Sequence, residues 1–338
     1  MPRILLVASL FLVVSAFGQS QGNASAAQNP PQKPGPQILM WTPPERPVPP
    51  FGSQVRKGVV VVRESCKDQD GNVWSSSGTG FVVAYHDPRL PAGQDFDYLV
   101  TNRHVAECLD EELRPRQVLS INVQVNNLRD GSTPTLPLNE HGNASWYFPA
   151  DDSIDLAVAP VAFSPDVAVR VLSPDMFFSK ADFEALNIGE GAKIILSGYF
   201  YQIDGSPKLE PLVREGVLSM VPDTPLMTTL GKLGTLYLGD VHIFGGNSGS
   251  PVFISTFGVR PNGPILDDEF RFLGVVSGYY YEDSDLKLRI ATTVTGKQRA
   301  NSGVSMIVPA DFLKDLILND RRIAGLRDGY FAATQAKK

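Results

Sequence analysis

Between residues 58 and 308 the chain is a succession of short runs rich in Val, Ile, Leu, Phe and Tyr, each stopped by Gly, Asp-Gly or Pro. That punctuation restricts the fold more than any other feature, because runs this short and this frequent leave little room for helices. The strand-like runs fall at 58–63, 80–85, 97–101, 118–125, 156–161 and 193–199, then at 216–221, 235–238, 252–256, 272–281 and 304–308. The pattern predicts an all-β chain, a sandwich or a barrel. One helix is predicted at its end, over 310–320: Phe312, Leu313, Leu316 and Ile317 recur at helical spacing after Pro309-Ala310-Asp311.

With 338 residues, 43% hydrophobic and 20% charged, there is material for one large β domain or two ordinary ones. The formal net charge of -6, without any Lys/Arg run, argues against a nucleic-acid partner. Residues 1–18 carry Arg3, an apolar run from Ile4 to Val14, and small residues at Ala16 and Gly18. They read as a secretory signal peptide cleaved after Gly18, too short for a spanning helix, and no cysteine follows that would anchor a lipid. A secreted or periplasmic protein with no membrane anchor is therefore expected. Residues 19–51, rich in Gln, Asn, Ala and then Pro, cannot bury a core and read as a Pro-rich linker or pro-segment. The folded domain is expected over 52–320, followed by a C-terminal tail over 321–338.

Chemistry concentrates at Phe244-Gly245-Gly246-Asn247-Ser248-Gly249-Ser250-Pro251, where small neighbours let backbone come close to whatever Ser248 touches. A serine hydroxyl is a poor nucleophile unless a base takes its proton and a third group orients that base. The chain has four histidines, and His104 stands in Thr101-Asn102-Arg103-His104-Val105, where an apolar strand runs into a helix-like segment. Asp155 heads another apolar strand in Asp155-Leu156-Ala157-Val158. Singly, Ser248 fits a polar turn, His104 a satisfied surface histidine and Asp155 a turn acid beside Asp151 and Asp152. Jointly they form the order His, Asp, Ser, which is neither the α/β-hydrolase nor the subtilisin order, and Ser248 fails the Gly-x-Ser-x-Gly elbow at Ser250.

With Gly78-Thr79-Gly80-Phe81-Val82-Val83 and Leu273-Gly274-Val275-Val276-Ser277-Gly278 in the same order, the chain resembles the trypsin-like serine peptidases, closest to their HtrA and glutamyl endopeptidase branch. The resemblance implies two packed six-stranded antiparallel β-barrels with a C-terminal helix, His104 and Asp155 with the first barrel, Ser248 on the second, and the seam between Asp155 and Ser248. It implies a catalytic triad of His104, Asp155 and Ser248, an oxyanion hole from the amides of Gly246 and Ser248, and a peptide or protein substrate. The substrate pocket would draw on His242, Ser277 and Tyr279, without the acid that gives trypsin its preference for Lys or Arg. By the same resemblance the two cysteines, Cys66 and Cys108, pair beside the histidine; two buried free thiols are the alternative. Asn247 stands where the digestive enzymes carry an acid that pairs with a freed amino terminus, so activation by that route is not expected. The residues after 320 are too few for the PDZ domain that HtrA proteins usually carry.

No cofactor and no metal are expected. Asp68-Gln69-Asp70-Gly71-Asn72 opens like a calcium loop but lacks the spacing and the closing glutamate, and reads better as a hairpin turn. No Cys/His cluster has zinc spacing. The first reading is an exported serine endopeptidase; the second, from another class, is a catalytically inactive binding protein on the same scaffold.

Overall fold

The computed structural model describes residues 50–335 apart from 111, 128–131, 139–145, 165, 168, 201–207, 261–262, 266–268 and 290–292. The expected signal peptide and nearly all of the Pro-rich segment lie outside the described residues. A short helix, Phe51–Val55 (α1), leads into a hairpin made by Val59–Lys67 (β1) and Val73–Tyr85 (β2), in register from Val59 opposite Phe81 to Lys67 opposite Val73. Its turn is the Asp68–Asn72 stretch: the Asp68 carboxylate accepts from the Asn72 backbone N–H (2.8 Å), from Asn72 Nδ2 (3.0 Å) and from Trp74 Nε1 (2.9 Å). Those donors hold the Asp68 pKa down at about 2.

Three further strands, Phe96–Thr101 (β3), Gln117–Gln124 (β4) and Thr135–Pro137 (β5), join β1 and β2, as does Ala157–Val161 (β6), giving the order β5-β4-β1-β2-β3-β6. Val171–Leu172 (β7) adds a parallel pairing to β2. This first sheet curls but does not close. The outer edge of β6 is met by Tyr147, whose N–H and C=O both pair with Val158. Its interior is filled by Val60, Val62, Leu99, Ile121 and Val123.

The second sheet is a closed barrel. A helix, Lys180–Ala185 (α3), precedes Lys193–Gly198 (β8) and Leu212–Met220 (β9); a small hairpin, Leu226–Met227 (β10) with Leu233–Gly234 (β11), precedes Tyr237–Asp240 (β12) and Pro251–Ser255 (β13). A two-stranded ladder, Gly258–Arg260 (β14) with Gly263–Ile265 (β15), leads to the long strands Phe270–Arg289 (β16) and Thr293–Pro309 (β17). The barrel closes in the order β12-β17-β16-β13-β8-β9, because β12 also pairs β9. β16 and β17 stay paired out to Arg289 opposite Thr293, a two-stranded arm longer than the 272–281 and 304–308 runs imply. Phe81, Tyr98 and Val100 of the first sheet and Phe253, Phe272 and Val308 of the second form one apolar seam. Burying each such side chain stabilises the fold by about 1.5–3 kcal/mol.

The predicted terminal helix is Ala310–Asn319 (α4), with Leu313, Leu316 and Ile317 buried. Beyond it the expected tail is instead a second helix, Arg321–Gln335 (α5). Asp320 starts it by accepting from the amides of Arg322 (2.8 Å) and Ile323 (3.3 Å), a capping arrangement. α5 packs on the first sheet: buried Arg327 donates to Tyr98 Oη (3.1 Å) and to the Ile317 carbonyl (2.8 Å), and Phe96 meets Tyr330 edge-on at 5.4 Å. Among the described residues no helix is long and apolar enough to cross a membrane.

Candidate active site

His104 lies on a one-turn helix, Arg103–Ala106 (α2), entered directly from β3 through extended Asn102. Its ring is 26% exposed, while Asp155, just ahead of β6, is 1% exposed. The Asp155 carboxylate accepts from the His104 backbone N–H (3.0 Å) through Oδ1 and from His104 Nδ1 (2.7 Å) through Oδ2. Asn102 Nδ2 donates to the Asp155 carbonyl at 2.8 Å and fixes the backbone beneath the pair. Burial opposes the Asp155 charge, yet the imidazole beside it and the hydrogen bonds it accepts hold its pKa below the usual carboxylate value. For His104 burial again acts against the charge, and the carboxylate outweighs it, raising the pKa above that of a free imidazole. An ionised carboxylate only accepts, so Nδ1 carries the proton and Nε2 is left as the acceptor.

A third donor to Asp155 has no sequence signal. Thr229 Oγ1, from the loop between β10 and β11, donates to Oδ2 at 2.7 Å. Nothing local predicts a contact across so long a stretch of chain.

Ser248 sits on the second barrel between Gly246 (φ 94°) and Gly249 (φ 86°), both in the left-handed region that favours glycine. A Cβ on Gly249 would lie 1.9 Å from the Thr79 carbonyl oxygen, so no larger residue fits there. Thr79 of β2 stitches this loop to the first sheet: its N–H donates to the Ser248 carbonyl (2.8 Å) and its Oγ1 to the Gly246 carbonyl (2.7 Å). That is the physical role of the Gly78-Thr79-Gly80 segment. Among the described residues the amides of Gly246 and Ser248 donate to no other protein group. Asn247, 1% exposed, has both ends of its side chain used: Nδ2 donates to the Tyr199 carbonyl (2.6 Å) and Oδ1 accepts from the Phe244 N–H (2.9 Å).

His104 and Ser248 line one cleft of about 500 Å³, together with Ser277, Tyr279, Ile243 and Met306. Their side chains do not meet by a hydrogen bond: the Ser248 hydroxyl points to the Ser277 carbonyl at 3.4 Å. The Ser277 hydroxyl is buried without a partner among the described residues. Ser277 and Tyr279, on β16, both line the cleft. His242 is exposed between buried Val241 and Ile243 and is not in the cleft lining; its ring lies 5.6 Å from that of Phe244, which with Ile243 does line the cleft. Cys66 on β1 and Cys108 after α2 form a disulfide, both buried. Closing a loop of this span stabilises the fold by about 3–4 kcal/mol in the chain-entropy description.

A closed barrel and a curled partner sheet, with a cleft lined by the histidine and the glycine-flanked serine and the aspartate buried behind the histidine, make up the chymotrypsin-like double-barrel fold. Among solved structures the chain is similar to the HtrA-type protease AlgW with tripeptide, at 16% identity and a TM-score of 0.42 over 80% of this chain and 64% of that one. It is similar to the MamO protease domain from Magnetospirillum magneticum (16% identity, TM-score 0.42, 79% and 98% covered) and to the Rv3671c protease from M. tuberculosis in its active form (16%, 0.41, 78% and 81%). The chain spans less than two thirds of the AlgW chain it matches. Comparison of the sequence with protein-family profiles and with curated proteins returns no match. These are likenesses of fold; the chemistry is read from the residues of the cleft.

Proposed function

We propose that the protein is an exported serine endopeptidase in which His104, Asp155 and Ser248 act as a triad. The observation that supports this most is the buried Asp155 carboxylate 2.7 Å from His104 Nδ1, which leaves Nε2 free on the cleft that Ser248 shares. In this reading a rotation of the Ser248 hydroxyl from the Ser277 carbonyl toward Nε2 precedes attack; such bonds are often loose before substrate arrives. Oγ adds to the scissile carbonyl while its proton passes to Nε2. The amides of Gly246 and Ser248 receive the oxyanion, and His104 then protonates the leaving amine to give an acyl-enzyme that water hydrolyses. The apolar run within residues 1–18 and the disulfide support export.

The second reading, a binding protein that has kept the fold without the reaction, is favoured by that same Ser248–Ser277 contact. A fluorophosphonate probe separates the two. Stoichiometric labelling at Ser248, abolished by Ser248→Ala and by His104→Ala with folding intact, is the expected result; an unlabelled, folded protein supports the binding reading and rejects the enzyme.

A further inference from the structure

Among the described residues Arg214 is a cation without a counter-ion beside the cleft. It lies on β9 opposite Leu196, so the strand pairing puts its side chain on the face of that buried residue, where Arg214 itself is half-buried. Its guanidinium rests 4.9 Å from the centre of the Phe244 ring, and Phe244 lines the cleft next to Gly245 and Ser248. The other arginines drawn partly out of water have partners: Arg103 has Glu107, Arg271 has Asp182, and Arg327 has Tyr98 and the Ile317 carbonyl. Arg214 Nε is buried and meets no acceptor among the described residues. Burial pulls its pKa down, with no carboxylate acting in the other direction. A guanidinium held this way is costly unless an anion completes it. Its planar fork suits a carboxylate, with the Phe244 face already positioning it.

On the far side of the same loop, Arg63 lies over the Tyr199 ring at 5.6 Å, and a Cβ on Gly246 would touch the Tyr199 carbonyl oxygen at 3.1 Å. The flank beyond Phe244 and Gly246 therefore carries two guanidinium groups among aromatic rings. Ile243, Tyr279 and Met306 are among the residues that line the cleft itself. Arg214 itself is not part of the cleft lining, so a peptide residue that fills the apolar cleft is not the one that reaches it.

We propose that Arg214 forms a carboxylate subsite at the rim of the cleft, beyond Phe244, by which the protein selects peptides that bring a carboxylate to that flank. The inference rests on reading the cleft as a peptide site. The carboxylate is either an acidic side chain or a free carboxy terminus, and the test separates these sources.

The experiment measures binding, so that it does not depend on turnover. Fluorescein-labelled peptides are titrated by anisotropy against the full chain carrying Ser248→Ala. One set, amidated at the carboxy terminus, scans a single Glu through successive positions; a second carries Gln at each of those positions; a third is the Gln peptide with a free carboxy terminus. A charge-assisted pair in this setting is expected to favour Glu over Gln about 10-fold at one position. Arg214→Gln should erase that gap while leaving the affinity of the Gln peptide unchanged. A gain confined to the third set assigns the subsite to the chain terminus. Where Arg214→Gln melts early, Arg214→Met, which keeps the apolar stem, serves instead. Equal affinities across all sets, a preference that survives loss of the cation, or no binding of any peptide overturns the inference. Fluorophosphonate labelling of the wild-type chain reports separately on the protease reading. A labelled serine without a Glu/Gln gap rejects the subsite alone, and a gap without labelling keeps the subsite and rejects the enzyme.

Discussion

Asn247→Ala should unravel the nucleophile loop without touching any group that takes part in the reaction. In the wild-type chain the Asn247 side chain satisfies the Tyr199 carbonyl and the Phe244 N–H, both withdrawn from water at this 1% exposed position. Alanine leaves one acceptor and one donor unpaired, at about 1–3 kcal/mol each, hence about 2–6 kcal/mol in total. For a body of this size the loss corresponds to a fall in Tm of about 5–15 °C. Gly246 and Ser248, which flank Asn247, supply the proposed oxyanion donors, so fluorophosphonate labelling should slow by about 10²–10³-fold. Asn247→Asp sharpens the argument. One oxygen of the introduced carboxyl keeps the Phe244 N–H, but the other meets the Tyr199 carbonyl, acceptor against acceptor, unless it carries a proton. The pKa of that carboxyl is thus raised in the folded state, and the stability of this variant is present at low pH and lost as pH rises. Differential scanning calorimetry at pH 4 and pH 8 should find it near wild type at the first and well below at the second. A wild-type Tm and labelling rate in Asn247→Ala, or an Asn247→Asp protein that is fully stable and active at pH 8, would refute the reasoning. The latter would mean that a cation reaches this position after all.

Further expectations follow from the same contacts. The acid limb of labelling against pH should lie above the free-imidazole value, because Asp155 raises the His104 pKa and only neutral His104 accepts a proton; Asp155→Asn should move the limb downward while slowing the reaction by several orders of magnitude. Glu64, buried on β1 with neither carboxylate oxygen bonded, has its pKa pushed up by burial to about 9 from 4.5. Between those values the folded state keeps a proton that the unfolded chain releases, so stability falls as pH rises, by about 3 kcal/mol at pH 7. Glu64→Gln should flatten that slope, raising Tm at pH 8 but not at pH 4.5. A chain beginning at Gly52 loses Phe51, which stacks on Phe270 at 4.3 Å and meets Phe253 edge-on at 5.2 Å. Its chemical stability should fall by about 1–3 kcal/mol relative to a chain beginning at Gln19, with equal labelling rates in the native range.

What was legible in the sequence had a local period or a local motif. Strand runs such as Ile194 to Leu196 and the helix at Leu313 to Ile317 carry their own apolar spacing, and the serine and histidine segments carry theirs. The second helix has its period hidden: Ile323, Arg327 and Phe331 fall on one helical face, but a charged residue stands at the centre of that face. His242 comes only from the resemblance, and alternation with buried Val241 and Ile243 leaves it exposed, its ring 5.6 Å from that of Phe244 on the cleft wall. Glu64 follows the apolar run from Val59 to Val62 and charged Arg63, and no sequence rule tells a buried neutral acid from a solvated one. Thr229 and Arg214 have no signal at all, because what makes them matter is which loop the barrel brings beside them.

Two threonines show how the site depends on both sheets. Thr79 belongs to the first sheet yet holds the serine loop of the second, through the Gly246 and Ser248 carbonyls. Thr229 comes from the hairpin between β9 and β12 yet holds the aspartate of the first, at 2.7 Å. Each half of the candidate triad is therefore fixed by the opposite sheet, and sliding one against the other breaks hydrogen bonds at both reacting groups. Thr229→Val tests this. It removes one donor to a buried carboxylate, a loss of about 1.5–3 kcal/mol, and should slow labelling about 10- to 100-fold. A purely structural loss would lower the rate at every pH alike. If Thr229 positions and polarises Asp155, the carboxylate stripped of this donor draws the His104 proton more strongly, and the acid limb moves upward. Thr229→Ser, which keeps the hydroxyl, should restore both rate and limb. An unshifted limb in Thr229→Val, or failure of the serine variant to restore it, would reduce Thr229 to a packing residue.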